Sequence, residues 1–143
     1  MAAKPTVAIR WQGRPEKGLS AYLRGLALEV LKRVGVEQGE LVVFLCDDRT
    51  MQRLNSYFRQ KEQPTDVLSF PAHELLPEGG VHLGDIAISL ETAARQAAQA
   101  DHSLERELGV LLIHGILHVC GFDHETDNGE MEAREAELRE ALL

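Results

Sequence analysis

His114 and His118 stand four residues apart inside the run Leu108–Phe122, the longest uncharged and mostly apolar stretch of the chain. Such a stretch reads as a helix packed inside a core, because it falls short of the roughly 20 residues a membrane span needs. Each imidazole buried there costs free energy unless it finds a polar partner. On a helix the two residues lie about 40° apart around the axis and about 6 Å along it, so both rings project from one face. His124 follows six residues later and would point the wrong way if the helix continued. Gly121 resolves this, since glycine can take the left-handed conformation that ends a helix and folds the next residues back over its last turn. The pattern H-x3-H-x5-H therefore predicts one metal site built from His114, His118 and His124. Three protein ligands leave a fourth position open, the arrangement of a catalytic rather than a structural zinc.

The spacing matches the extended zinc-peptidase motif H-E-x-x-H-x-x-G-x-x-H at every position but one. Residue 115 is Gly where the peptidases carry the glutamate that serves as general base. A metal-dependent hydrolase with another substrate fits the residues better.

Around this helix the chain reads as one α+β domain spanning residues 1–143: a small mixed sheet of about four strands packed with four to five helices, with the metal site at the end of a central helix of the C-terminal half. Alternation over Thr6–Trp11 predicts a first strand, and Leu19, Tyr22, Leu23, Leu26 and Val30 recur at helical spacing until Gly35. Leu41–Cys46 has the length and composition of a buried strand. Asp47 and Asp48 then offer N-caps for a helix bearing Met51, Leu54 and Phe58. Two short strands are expected at Val67–Phe70 and Leu83–Leu90, separated by a surface loop marked by Pro71, Pro77, Gly79 and Gly80. Thr92–Ala100 reads as an alanine-rich helix, and Ser103 caps the long apolar one, with Glu105 and Glu107 in its first turn. A last helix from about Asp127 buries a narrow stripe of Met131, Leu138 and Leu142. Its pairs Glu130–Arg134 and Glu135–Arg139, at i,i+4, suit an exposed face.

The N-terminus MAAKPTVAIRW lacks the apolar core of a secretory signal, so the expected compartment is the cytoplasm, with Cys46 and Cys120 reduced. A net charge of -8 argues, taken alone, against a nucleic-acid partner. The average conceals an asymmetry: residues 1–63 carry eleven Lys+Arg against seven Asp+Glu, or +4, while residues 64–143 carry four against sixteen, or -12. The basic half is thereby suited to an anion and the acidic half to solvent or a basic protein.

The string His114-Gly115-Ile116-Leu117-His118-Val119-Cys120-Gly121-Phe122-Asp123-His124 strongly resembles the H-G-x-L-H-x-x-G-[YF]-D-H signature of the bacterial YbeY family. Arg59, Lys61 and Pro64-Thr65-Asp66-Val67-Leu68-Ser69-Phe70-Pro71 resemble that family's R-x-K-x-x-P-T-D-V-L-S-F-P segment, and Leu83-Gly84-Asp85-Ile86-Ala87-Ile88 its L-G-D-I-x-I strand. The likeness covers roughly residues 40–140. It implies a single-strand-specific metallo-endoribonuclease of rRNA maturation, notably at the small-subunit RNA 3′ end, and of ribosome quality control. It further implies one zinc ion per chain on His114, His118 and His124, with Arg59 and His114 as catalytic residues. Single-stranded rRNA and the small ribosomal subunit with its proteins are the implied partners, without membrane or DNA. The chemistry is coherent, since hydrolysing a phosphodiester builds negative charge that a metal and an arginine can both neutralise.

The remaining polar residues carry weaker expectations. Asp123 either orients a ligand imidazole or caps the turn after Gly121. Asp66, Ser69 and Asp85 lie in matched segments, where an aspartate at a strand end is most often structural. His73, His82 and His102 lack ligand spacing and read as surface residues. Arg49 and Arg53, four apart on the helix leading to Arg59, extend a basic strip suited to an RNA backbone. Two rival functions stand beside the nuclease. One is a non-catalytic, zinc-stabilised ribosome-assembly factor, which suits the acidic second half; the other is a metallopeptidase, which Gly115 opposes.

Overall fold

The computed structural model describes residues 4–59, 65–123 and 125–143, with the side chain of Arg59 excluded. The elements follow the order β1 (Pro5–Trp11), α1 (Lys17–Arg33), β2 (Gly39–Cys46), α2 (Asp48–Arg59), β3 (Val67–Leu75), β4 (Val81–Ser89), α3 (Leu90–Ala100), α4 (Leu104–Val119) and α5 (Glu130–Leu142). The four strands form one mixed sheet in the order β1-β2-β4-β3. β1 pairs parallel with β2 and β2 with β4, whereas β3 runs antiparallel to β4 and forms an edge.

Period-two alternation divides the strands between two cores. Leu41, Val43 and Leu45 of β2, with Ile86 and Ile88 of β4, are fully buried on one face. There they meet Leu23, Val30 and Leu31 of α1 and Leu112, Ile113 and Leu117 of α4 in the main core. Cys46, Leu68 and Ala87 point the other way and form a smaller cluster with Met51 of α2. Both cysteines are free. Burial, with Asp47 and Asp48 nearby, pushes the Cys46 thiol up to about 12, so it behaves as an inert core residue.

The capping chemistry is largely as expected. Asp47 Oδ1 accepts the Thr50 N–H at 2.8 Å and is the N-cap of α2. Asp48 instead ties two helix starts together: it accepts the hydroxyl of Ser89 at 2.6 Å, and Ser89 in turn caps α3 by accepting Thr92 N–H. Ser103 caps α4 through the Arg106 N–H.

Three expectations need correction. Pro71 lies inside β3 rather than in a loop; the strand continues to Leu75 through an irregularity between Pro71 and Glu74, where His73 takes φ 51. An edge strand with a bulge tolerates proline because its missing N–H is not needed by a second neighbour. Of the histidines read as surface residues, His73 is exposed while its ring donates to the Val119 carbonyl at 2.7 Å, but His82 and His102 are half-buried, donating to Asp85 at 3.0 Å and to Glu107 at 2.7 Å. Glu107 is therefore a buried hydrogen-bond partner besides a first-turn acid. Finally, Arg134 reaches Glu137 and the Arg33 carbonyl at the end of α1, whereas Glu130 accepts the Asn128 N–H.

Candidate functional site

The last turn and a half of α4 carries His114 and His118, and both rings emerge half-buried on the same side. Their centroids are 4.6 Å apart with planes inclined at 74°, and the Nε2 atoms face each other at 3.1 Å. Behind them stands Glu135 of α5, whose Oε1 accepts the Nδ1–H of His114 at 2.8 Å. A carboxylate on Nδ1 fixes the tautomer and leaves the Nε2 lone pair of His114 pointing outward, toward His118. Burial raises the Glu135 carboxyl, but the hydrogen bond from His114 and the positive charge of Arg139 are among the effects that outweigh it and hold the group below its ordinary value. Glu135 is thus an anion of which only 14% of the side chain is exposed.

Helix α4 ends immediately after these residues. Phe122 N–H bonds the Leu117 carbonyl at 3.0 Å and Gly121 N–H that of His118 at 3.0 Å, the paired bonds of a Schellman motif around Gly121 at φ 99. The chain reverses there, as the glycine predicted. Asp123 then organises the following turn: its Oδ1 accepts Glu125 N–H at 3.0 Å and its carbonyl accepts Thr126 N–H at 3.2 Å. Of the two roles open to Asp123, turn capping is the one observed. His124 lies outside the described residues, as does the side chain of Arg59, whose backbone closes α2.

Gly115 owes its identity to packing. A Cβ at this position would come within 2.9 Å of Ile86 Cγ2 and 3.3 Å of Ser69 Oγ, so helix and sheet touch here backbone to side chain. Ser69 uses the proximity to donate to the Gly115 carbonyl at 3.2 Å. The position that bears a general base in zinc peptidases is occupied in this chain by the helix–sheet contact.

In front of the two imidazoles opens a hollow of about 350 Å³, bounded by Asp66 just before β3, by Ser69 and Pro71 along it and by Asp123 and Glu125 beyond α4. Asp66 is structural as well: its Oδ1 accepts Val67 N–H at 2.8 Å and its Oδ2 the Gln96 amide at 3.3 Å. Asp85 lies on the opposite face of the sheet, with His82. Among the described residues no group of three or more His, Cys, Asp or Glu converges as a metal site. The His114–His118 pair nonetheless suits one. Two imidazole nitrogens bound to a tetrahedral zinc at about 2.0–2.1 Å lie about 3.3 Å apart, close to the observed 3.1 Å. Sequence reasoning missed Glu135, which it assigned to an exposed pair with Arg139; that pair persists at 3.7 Å beside the tighter bond to His114.

Comparison with known proteins identifies a family and a shared fold. The family model described as Endoribonuclease YbeY matches residues 12–142. A protein of that name from Koribacter versatilis is 44% identical over 130 residues, covering 91% of this chain and 79% of the relative. One from Nautilia profundicola is 48% identical over 103 residues, 72% of each chain, and one from Aquifex aeolicus is 46% identical over 114 residues, covering 79% and 74%. The solution structure of a Thermotoga maritima protein superposes with a TM-score of 0.65 at 28% identity, over 94% of this chain and 87% of that one.

Proposed function

The chain belongs to the Endoribonuclease YbeY family, and on that premise we propose that it is a single-strand-specific, metal-dependent endoribonuclease that matures the 3′ end of small-subunit rRNA and takes part in ribosome quality control. In this reading residues 1–143 form the one domain that does the work. His114, His118 and His124 hold a single zinc ion, and Arg59 meets the phosphate. The supporting observation is the pair of Nε2 atoms 3.1 Å apart at the back of an open hollow, one of them oriented from behind by Glu135.

The chain's own groups divide the task. Glu135 keeps the His114 proton on Nδ1 and the lone pair on Nε2. The turn built on Gly121 and Asp123 folds the chain back so that Asp123 and Glu125 border the hollow. Arg59, at the end of α2, supplies a permanently charged guanidinium that can hold two phosphoryl oxygens as charge builds on them. A bound zinc ion supplies Lewis-acid polarisation of a phosphoryl oxygen. The packed Gly115 leaves no room for the carboxylate base of a peptidase, which disfavours that rival.

The partners in this reading are single-stranded rRNA and the small subunit with its proteins, met in the cytoplasm. Among the described residues no helix is long and apolar enough to cross a membrane. The test is to incubate metal-loaded protein with single-stranded rRNA fragments, comparing wild type with Arg59→Ala and His114→Ala. Cleavage by wild type and its loss in both variants is expected, whereas equal cleavage by all three would identify a contaminant and end the proposal.

A further inference from the structure

Helix α2 turns a second kind of surface to solvent. Tyr57 is 81% exposed and Phe58 58% exposed, in a chain that otherwise buries most of its large apolar side chains. The two rings contact each other edge to face at 4.8 Å, and Phe58 contacts Phe70 of β3 in the same manner at 5.1 Å. The three rings are thus braced into a continuous patch that begins on the helix and ends on the edge strand. Its aromatic character continues into a groove on the same face of the sheet, where Phe44 and Leu54 lie beside Phe70 and Arg10 marks the rim.

Basic charge accompanies the rings. Arg49, Arg53 and Tyr57 recur at i, i+4 and i+8, which places them in one stripe along α2 with a rise of about 6 Å between neighbours. Arg49, Arg53 and Tyr57 line a common hollow with Gln52 and Ser56. Both arginines are exposed. Arg33, Arg95, Arg134 and Arg139 are each held by a carboxylate; among the described residues no such pair holds Arg53. Arg49 and Arg53 belong to residues 1–63, the half of the chain that keeps a positive balance, and on α2 they stand beside exposed rings.

Position links this patch to the histidines. Phe70 and Ser69 are consecutive on β3, so their side chains leave opposite faces of the sheet: Phe70 toward Phe58, Ser69 toward Gly115 and the hollow before His114. Because β3 is an edge strand, a ligand passes from one face to the other around it without crossing the sheet. Arg59 directly follows Phe58.

We propose that the Tyr57–Phe58–Phe70 patch is a base-stacking platform for single-stranded RNA: two unpaired bases lie on the exposed rings, their phosphates run along Arg49 and Arg53, and the strand turns around the β3 edge to reach the hollow of His114 and His118. The platform rests on the nuclease reading and specifies how its substrate is held. Aromatic faces accept any base but only if it is unstacked from a duplex, so single-strand selectivity follows from the surface itself. Mixed apolar and basic character also matches what a protein partner would seek, and the experiment separates the two.

The probe is a fluorescein-labelled 12-nucleotide RNA, followed by anisotropy with the intact protein, alongside the same oligonucleotide carrying abasic sites at its centre. Tyr57→Leu/Phe58→Leu keeps apolar bulk and removes both π faces. Since the rings are mostly exposed, the double variant should keep the wild-type circular dichroism. Wild type should bind the complete RNA at least fivefold more tightly than the abasic one, and the double variant should weaken binding to the complete RNA by at least fivefold while no longer distinguishing the two. Equal affinity of both proteins for the complete RNA, or unchanged base dependence in the variant, overturns the platform and leaves the patch as a protein-docking surface. Photocross-linking of 4-thiouridine RNA to wild type gives a second reading that does not depend on the variant's folding: adducts on Tyr57 or Phe58 are expected, and adducts confined elsewhere refute the proposal. Cleavage of RNA by wild type in parallel keeps the outcomes apart, because a cleaving enzyme without base dependence loses only the platform, whereas failure to cleave removes the nuclease reading on which it rests.

Discussion

Replacing Glu135 tests whether the carboxylate behind His114 prepares that ring for a metal. The hydrogen bond is 2.8 Å long and its acceptor is a mostly buried anion. A charge-assisted bond of this type contributes about 1.5–3 kcal/mol, and about 1.4 kcal/mol corresponds to a tenfold change in affinity. Loss of such an orienting carboxylate typically costs about 10–100-fold in metal affinity. Glu135→Gln keeps an acceptor oxygen and loses the charge, so zinc affinity should fall by about tenfold. Glu135→Ala also frees the ring to rotate and to exchange its proton between nitrogens, so the fall should approach about a hundredfold. Competition against a chromophoric chelator measures both, and Glu132→Gln, on an exposed position of the same helix, should match wild type. A zinc affinity for Glu135→Ala within about twofold of wild type would make the bond a structural tie between α4 and α5 and nothing more.

Three further perturbations address the frame of the site. Gly115→Glu, which completes the peptidase motif, should gain no peptidase activity and lose about 3 kcal/mol or more in urea unfolding, because its side chain must enter the Ile86 contact. Gly121→Ala forces a β-carbon into a left-handed turn at φ 99; it should cost about 1–2 kcal/mol by the same measurement and weaken zinc binding if the turn delivers His124. Asp48 is held at about 2, against an ordinary 3.8, by the hydroxyls of Ser89 and Thr92 and by Arg95, against the opposing effect of burial. A depressed carboxylate stabilises the fold fully above its ordinary value and loses that contribution as the pH falls through about 2. Asp48→Asn should therefore be about 1–2 kcal/mol less stable at pH 7, allowing for partial solvent screening, and the gap should close in acid denaturation near pH 2.

The parts of this molecule that sequence made legible are those governed by local rules. The four strands, the helix around His114 and His118, the Ser103 cap and the Gly121 reversal each depend on residues within one or two turns of chain. What stayed hidden depends on neighbours distant in sequence. Pro71 looked like the start of a loop because nothing local says that β3 is an edge strand. Glu135 looked like half of an exposed pair because its true partner lies 21 residues upstream on another helix. Gly115 looked like a missing catalytic group until the approach of Ile86 gave it a packing reason. Phe58 read by periodicity as one of the apolar positions of its helix with Met51 and Leu54, and only its exposure marks it out.

Chelation followed by metal return asks of the protein itself whether its cleavage of RNA depends on zinc. Purified protein should cleave a single-stranded fragment carrying the small-subunit rRNA 3′ end, lose that cleavage when stripped of metal, and regain it on addition of about one equivalent of zinc per chain, with His114→Ala inactive throughout. Cleavage that survives stripping, or RNA that stays intact at every protein concentration with zinc restored, would contradict the account.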